Sequence, residues 1–132
     1  IAGNELELRG VDDPHLHYDD YSQIAGAVPT GVLGVGVTHA PYLRVLDGMS
    51  ADRCGLILAG HTHGGQVCIP FKGALATNCD LPTKYAKGLS AWKFGSYSLV
   101  LNVCAGLGTS IFAPVRFFCR PEVRLITLLA QD

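Results

Sequence analysis

No apolar run in this chain is long enough to cross a bilayer as a helix, which takes about 18 residues or more. Runs such as Val32–Val37 and Gly55–Ala59 span only a few positions. Charge is also scarce. Asp, Glu, Lys and Arg make up 16% of the chain, against about 25% in ordinary globular proteins. The net charge is −1, so the basic surplus that nucleic-acid binding rests on is missing. The five cysteines never stand as Cys-x-x-Cys, which removes the usual cysteine zinc site, and an odd count removes a fully paired disulfide framework. Cys54, Cys68, Cys79, Cys104 and Cys119 read instead as small residues with free thiols, most of them in or beside apolar runs. The chain opens on Ile1, and Met49 is its only Met. With 48% hydrophobic residues and so little charge, it reads as a piece shaped to pack against something else.

At 132 residues the chain is one domain at most. Leu6 to Val11 alternates as a strand does. Asp19 to Val28 is expected to form a short helix ended by Pro29. Val32 to Thr38 is a continuous apolar run, as in a strand buried on both faces. Pro41 to Met49 is expected to form a second short helix, with Pro41 in its first position. Gly55–Ala59 and Gln66–Ile69 are expected as paired strands around a loop. Residues 70–95, rich in Gly, Pro, Lys and Asn, read as a long irregular excursion. Tyr97 to Val103 and Val123 to Leu129 are the late strands. Such a succession fits half of an α/β sandwich.

The densest chemical signal is Gly60-His61-Thr62-His63-Gly64-Gly65-Gln66. Two imidazoles stand two positions apart on a loop that follows an apolar run, and the flanking glycines permit sharp turns and close ligand approach. Neutral imidazole is the commonest protein ligand for zinc, iron, manganese and related ions. His39 closes the Val32–Thr38 run, so three strand-end histidines point to a metal site on one edge of a sheet. Gln66 bonds either a loop carbonyl or a substrate oxygen. His15 and His17 form a further His-x-His pair in a polar stretch (Asp12 to Asp20), read either as a surface turn or as a substrate contact. Gly106 to Ser110 has the composition of a phosphate-cradling loop but lacks its lysine and spacing. Arg116 and Arg120 read as surface or packing residues more readily than as phosphate clamps. Trp92, Phe94, Phe112, Phe117 and Phe118 line either a core or the entry for an apolar substrate.

These motifs resemble the calcineurin-like metallophosphoesterases. Gly60-His61-Thr62-His63 is similar to the last motif of that superfamily, and Thr38-His39-Ala40-Pro41 to the one before it. Gly10-Val11-Asp12-Asp13-Pro14, Gly106 to Ser110, and Pro114 to Val123 are similar to segments of its YkuE-type bacterial phosphohydrolases, a subgroup often associated with membranes. The Asp-x-His, Gly-Asp-x-x-Asp and Gly-Asn-His motifs of the superfamily are absent here.

The resemblance implies a fold, a site and an activity. The fold is the C-terminal half of a four-layer α/β/β/α sandwich, residues 1–132, mostly strands with two short helices. The site holds two divalent ions (Mn, Zn or Fe), one shared by His39 and His61, the other held by His63. Gly64, Gln66 and His15 are its candidate substrate contacts. No residue here takes the general-acid role, because that histidine belongs to the missing Asn-His motif. The activity is hydrolysis of a phosphomonoester, phosphodiester or pyrophosphate, lipid-linked esters included, by a longer parent, with this piece inactive alone. Its partner is either a second copy or the N-terminal half, and its place is cytoplasmic or peripheral at a membrane. The alternative is a non-catalytic metal-binding or structural piece acting through a partner chain.

Overall fold

The computed structural model describes residues 5–129. A five-stranded sheet organises them, in the order β1-β2-β3-β7-β6. Its strands are β1 (Glu5–Gly10), β2 (Val32–Thr38), β3 (Leu56–Ala59), β6 (Gly88–Phe94) and β7 (Tyr97–Val103). The first four in that order run parallel, and β6 closes the edge as an antiparallel hairpin with β7. A two-stranded hairpin of β4 (Cys68–Ile69) and β5 (Gly73–Ala74) stands apart. Helix α1 (Leu43–Ala51) connects β2 to β3. The fold is thus a mostly-strand α/β arrangement, as the sequence implies.

The two ends of α1 have different stops. Tyr42 occupies the N-cap without a side-chain bond, and the carboxylate of Asp80 accepts from Leu43 N at 2.9 Å instead. A negative charge there also suits the helix dipole. At the other end Arg53 adopts φ 70°. Cys54 N then bonds Met49 O and Arg53 N bonds Ser50 O, the paired closure that a left-handed residue permits.

One face of the sheet meets α1. Val45, Leu46 and Met49 pack with Ile57, Leu99, Leu101, Val103 and Trp92. Gly36 is needed there: a Cβ on it would lie 2.3 Å from Met49 Sδ. The other face carries Leu6, Leu8, Leu33, Val37, Val100 and Leu89, all exposed. Cross-strand register puts them together, through pairs such as Leu6 with Leu33 and Leu8 with Val35. So the second side of β2 is only partly covered: Val35 is buried, while Leu33 and Val37 on either side of it are exposed.

Several local expectations differ. Asp19–Val28 makes a single 3₁₀ turn, Tyr21–Gln23, capped by Asp20. Tyr21 then reaches Asp52 through its hydroxyl at 2.8 Å, a tertiary bond that an unbroken helix would not need. The second helix starts two residues late, at Leu43, and runs to Ala51. β3 pairs with β2 and β7, while β4 pairs with β5, so the strands around the histidine loop are not partners. Residues 70–95 contain β5 and β6. Val123–Leu129 forms no strand: residues 122–126 lie near Leu89 and Asn102 but make no ladder bonds with β6 or β7.

Candidate metal edge

Parallel strands end on the same side, and in open α/β sheets ligands bind outside those carboxyl ends. Here that edge gathers the segments after β1, β2, β3 and β7. Thr38 pairs with Ala59 across the sheet, and Gly60 N bonds His39 O at 3.0 Å. His39 and His61 are therefore brought together by register. Nδ1 of His61 lies 3.2 Å from Nε2 of His39. The segment after β1 brings His15, whose ring centroid lies 4.5 Å from that of His61.

The loop itself is conformationally unusual. His61, His63 and Gln66 have φ of 64°, 49° and 49°, and Gly64 and Gly65 have φ of 65° and 85°. Positive φ in non-glycine residues is strained and tends to occur at functional sites. Specific bonds hold it. Thr62 Oγ1 donates to Ala86 O at 2.7 Å and accepts from Gly64 N. A Cβ on Gly65 would sit 2.4 Å from Ala74 Cβ, so only glycine lets the β4–β5 hairpin pack against the loop.

Carbonyl partners fix the tautomers. His61 Nε2 lies 3.1 Å from Asn78 O, and His63 Nδ1 lies 3.1 Å from Gly108 O. A carbonyl only accepts, so each of these nitrogens carries the proton. In a neutral ring so oriented, Nδ1 of His61 and Nε2 of His63 are the nitrogens with the lone pair. Metal-ligating histidines are oriented in this way by a backbone carbonyl behind the ring. Burial holds the His61 imidazole below the ordinary histidine pKa, opposed by the Asn78 carbonyl and assisted by repulsion from His15 and His39. The neutral form, the one that ligates, is favoured.

The donor set fits a metal in part. Two imidazole nitrogens on one tetrahedral zinc at about 2.0–2.1 Å would stand roughly 3.3 Å apart, close to the His39–His61 spacing. Among the described residues, however, no three His, Cys, Asp or Glu side chains converge to hold an ion by themselves.

His15, His61, His63 and Phe112 line one cleft of about 480 Å³. His15 is held in place there. Its Nδ1 lies 3.0 Å from Tyr42 Oη, and Asp13 caps its turn. Arg44 binds the stretch on both sides of it, donating to Pro14 O at 2.7 Å and to both oxygens of Asp19 at 2.7 and 2.8 Å. His17 lies outside the cleft. The Gln66 amide is committed to structure: its Nε2 donates to Ala113 O at 2.7 Å and its Oε1 accepts from Ser110 N. Gly64 is buried beneath the loop, and a Cβ there would meet Cys119 Sγ at 2.7 Å.

Arg116 has a role the sequence does not display. Its guanidinium donates to the carbonyls of His63, Ala105, Gly106 and Gly108. It clasps the histidine loop to the segment after β7, including the carbonyl that orients His63. Arg116→Ala is expected to lower unfolding free energy by about 2–3 kcal/mol, since several carbonyls lose a charged donor. Arg116→Lys should recover only part of this, because an ammonium lacks the planar fork. Urea denaturation of the three proteins measures both effects.

The Asp19–Arg44 pair makes stability depend on pH. The Arg44 guanidinium holds the Asp19 carboxyl below its ordinary range, against the burial that pushes it up. The folded pKa is below the unfolded one. The stabilisation is therefore full above the unfolded value near 4 and is lost as pH falls through the folded value. It amounts to about 1 kcal/mol for a bidentate but partly exposed pair. Melts between about pH 6 and pH 2 should show a steeper acid loss for the native chain than for Arg44→Ala.

The site is thus an imidazole-lined cleft at the carboxyl edge of an α/β sheet. Across 132 residues, 98% of its length, the chain is 30% identical to YkuE of Bacillus subtilis strain 168, described as an uncharacterized metallophosphoesterase. It is 26% identical across 134 residues to the uncharacterized protein YpbG of the same strain. The resemblance to metallophosphoesterases is thereby shown along nearly the whole chain. The chain spans 43% and 44% of the lengths of these two relatives, less than half of each. No family model matches it, and no solved structure does.

Proposed function

We propose that this chain supplies three ligands to a two-metal phosphoester hydrolysis site, with His39 and His61 on one ion and His63 on the other. The remaining ligands, carboxylates among them, come from residues outside this chain. The observation that carries the reading is the 3.2 Å approach of His61 Nδ1 to His39 Nε2, at the carboxyl edge of a chain similar to a metallophosphoesterase. Divalent ions of this kind (Mn, Zn or Fe) supply Lewis acidity and a hydroxide nucleophile at neutral pH.

The chain's own residues orient and enclose. Asn78 O and Gly108 O fix the rings of His61 and His63. His15, steadied by Tyr42, presents an imidazole to the cleft where a phosphoryl oxygen would lie. Phe112 and Leu75 give that cleft apolar walls, which suits an ester with an apolar leaving group, a lipid-linked one included. The substrate is a phosphomonoester, phosphodiester or pyrophosphate.

A second reading follows from the lack of a three-ligand cluster among the described residues. Alone, the chain is then a structural piece with weak affinity for divalent ions and no turnover. Calorimetry with zinc or manganese separates the two. Weak or no binding to the isolated chain, and stoichiometric binding to a longer protein containing it, supports the two-metal proposal. Tight two-site binding to the isolated chain would contradict the need for outside ligands.

A further inference from the structure

A second concavity lies across the β4–β5 hairpin from the histidine cleft and has a different chemistry. It encloses about 540 Å³, and its lining includes Lys72, Lys84 and Lys87 together with Ile69, Phe71 and Phe118. None of its lining residues is acidic. The ion pairs among the described residues all use arginines, so none of the three lysines is neutralised by a salt bridge. Lys84 instead stands over the Tyr85 ring, with Nζ 4.7 Å from its centroid, an attraction that leaves its charge intact.

The apolar part is equally unpartnered. Phe71 is fully exposed, at 110% of its reference surface, and Phe118 is 66% exposed. Phe71 also has φ 64°, so the hairpin turn holds it in a conformation that aromatic residues rarely adopt. The groove thus sets three cationic ends without a carboxylate partner beside two exposed aromatic rings. Pairing the lysines needs an anion, and covering the rings needs hydrocarbon.

We propose that this groove binds an amphiphilic organic phosphate: its anionic head among Lys72, Lys84 and Lys87, its hydrocarbon part against Phe71 and Phe118. The site is separate from the histidine cleft and does not depend on the hydrolytic reading. Two sources share the chemistry, a soluble alkyl phosphate and an anionic lipid headgroup in a bilayer.

The test uses a longer protein containing this chain and NMR titration with octyl phosphate, inorganic phosphate and octyl glucoside. Octyl phosphate should bind with shifts centred on residues 69–73, 83–87 and 118. It should bind at least about tenfold more tightly than either other probe, because charge and apolar contact both contribute. Raising salt from about 50 to 500 mM should weaken it, as screening requires. Lys72→Gln with Lys84→Gln, both exposed and outside the core, should lower the affinity several-fold without changing the melt. Phe71→Ser should do the same. A vesicle arm then separates the sources. Co-sedimentation with phosphatidic-acid vesicles but not phosphatidylcholine vesicles assigns the bilayer, and binding of octyl phosphate alone assigns the soluble ligand. Equal binding of octyl glucoside, shifts centred on the exposed sheet face around Leu8 and Leu89, or affinity unchanged by the lysine substitutions would each overturn the proposal. Loss of hydrolysis in a longer protein would leave it standing.

Discussion

Replacing His61 by Asn in a longer protein that carries this chain should cut hydrolysis of an aryl phosphate by roughly 100- to 1,000-fold or more, the scale on which losing a charge-stabilising group slows a reaction. Asn is the informative substitution. His61 sits at φ 64°, a conformation that Asn tolerates better than most residues, so the fold is kept while the imidazole is lost. His39→Ala should have a similar effect, since His39 closes β2 at the exposed edge and packs into no core. His17→Ala is the control. His17 also has positive φ, at 60°, but it lies outside the cleft, so turnover should stay within about twofold, as for a surface change of under ~0.5 kcal/mol. Steady-state rates and thermal melts, measured together, separate loss of chemistry from loss of fold. Near-normal turnover of either site variant would remove that histidine from the metal edge.

The second large effect concerns association. The sheet face opposite α1 exposes Leu8 at 67% and Leu89 at 62%, with Leu6, Leu33 and Val100 between or beside them. Soluble monomers rarely leave a contiguous apolar patch beyond a few hundred Å². Asn102 lies on the same face by register with Leu58, and its buried Oδ1 has no hydrogen-bond partner. An unpaired buried acceptor costs about 1–3 kcal/mol; residues 122–126 share a concavity with Asn102 and Leu89, so the open part of this face is the patch of Leu6, Leu8, Leu33 and Val100. The isolated chain is therefore expected to self-associate, with a light-scattering mass above 14.0 kDa. Leu8→Glu combined with Leu89→Glu should move the mass toward the monomer, because a charge in an apolar interface is costly. A monodisperse native chain of 14.0 kDa with a cooperative melt would show that the face needs no cover.

Where the sequence was legible, local pattern and tertiary demand agreed. The apolar run Val32–Thr38 is β2, and Tyr97–Val103 is β7. β2 has a parallel neighbour on each side, where apolar runs are common, and β7 alternates, turning Leu99, Leu101 and Val103 to the core. The edge strand β6 escaped notice because Gly88–Phe94 follows a Gly- and Pro-rich stretch and only its pairing with β7 makes it a strand. Val123–Leu129 has the opposite history: its composition suits a strand, but a strand exists only through its partners. Asp19–Val28 has a sound N-cap signal, and Asp20 does cap a turn, yet Tyr21 is drawn to Asp52 and the helix stops after one turn.

The site shows the same division. His39 and His61 were legible because both follow apolar runs, and parallel pairing places strand ends side by side. His15 read more readily as part of a surface turn. Its place in the cleft depends on Tyr42 and Arg44, 27 and 30 positions away from the residues they hold, and no local pattern encodes such contacts. Arg116 read as a surface or packing residue, and the four carbonyls it gathers lie on two separate loops. Gln66 was open between two roles, and its amide is occupied by Ser110 and Ala113.

Anomalous diffraction from crystals of a longer protein containing this chain, grown with manganese or zinc, tests the central claim most directly. The account predicts two peaks about 3.5–4 Å apart, one bonded to His39 Nε2 and His61 Nδ1, the other to His63 Nε2. A fully occupied metal centre with His61 still bonded only to His39 and Asn78 would contradict it.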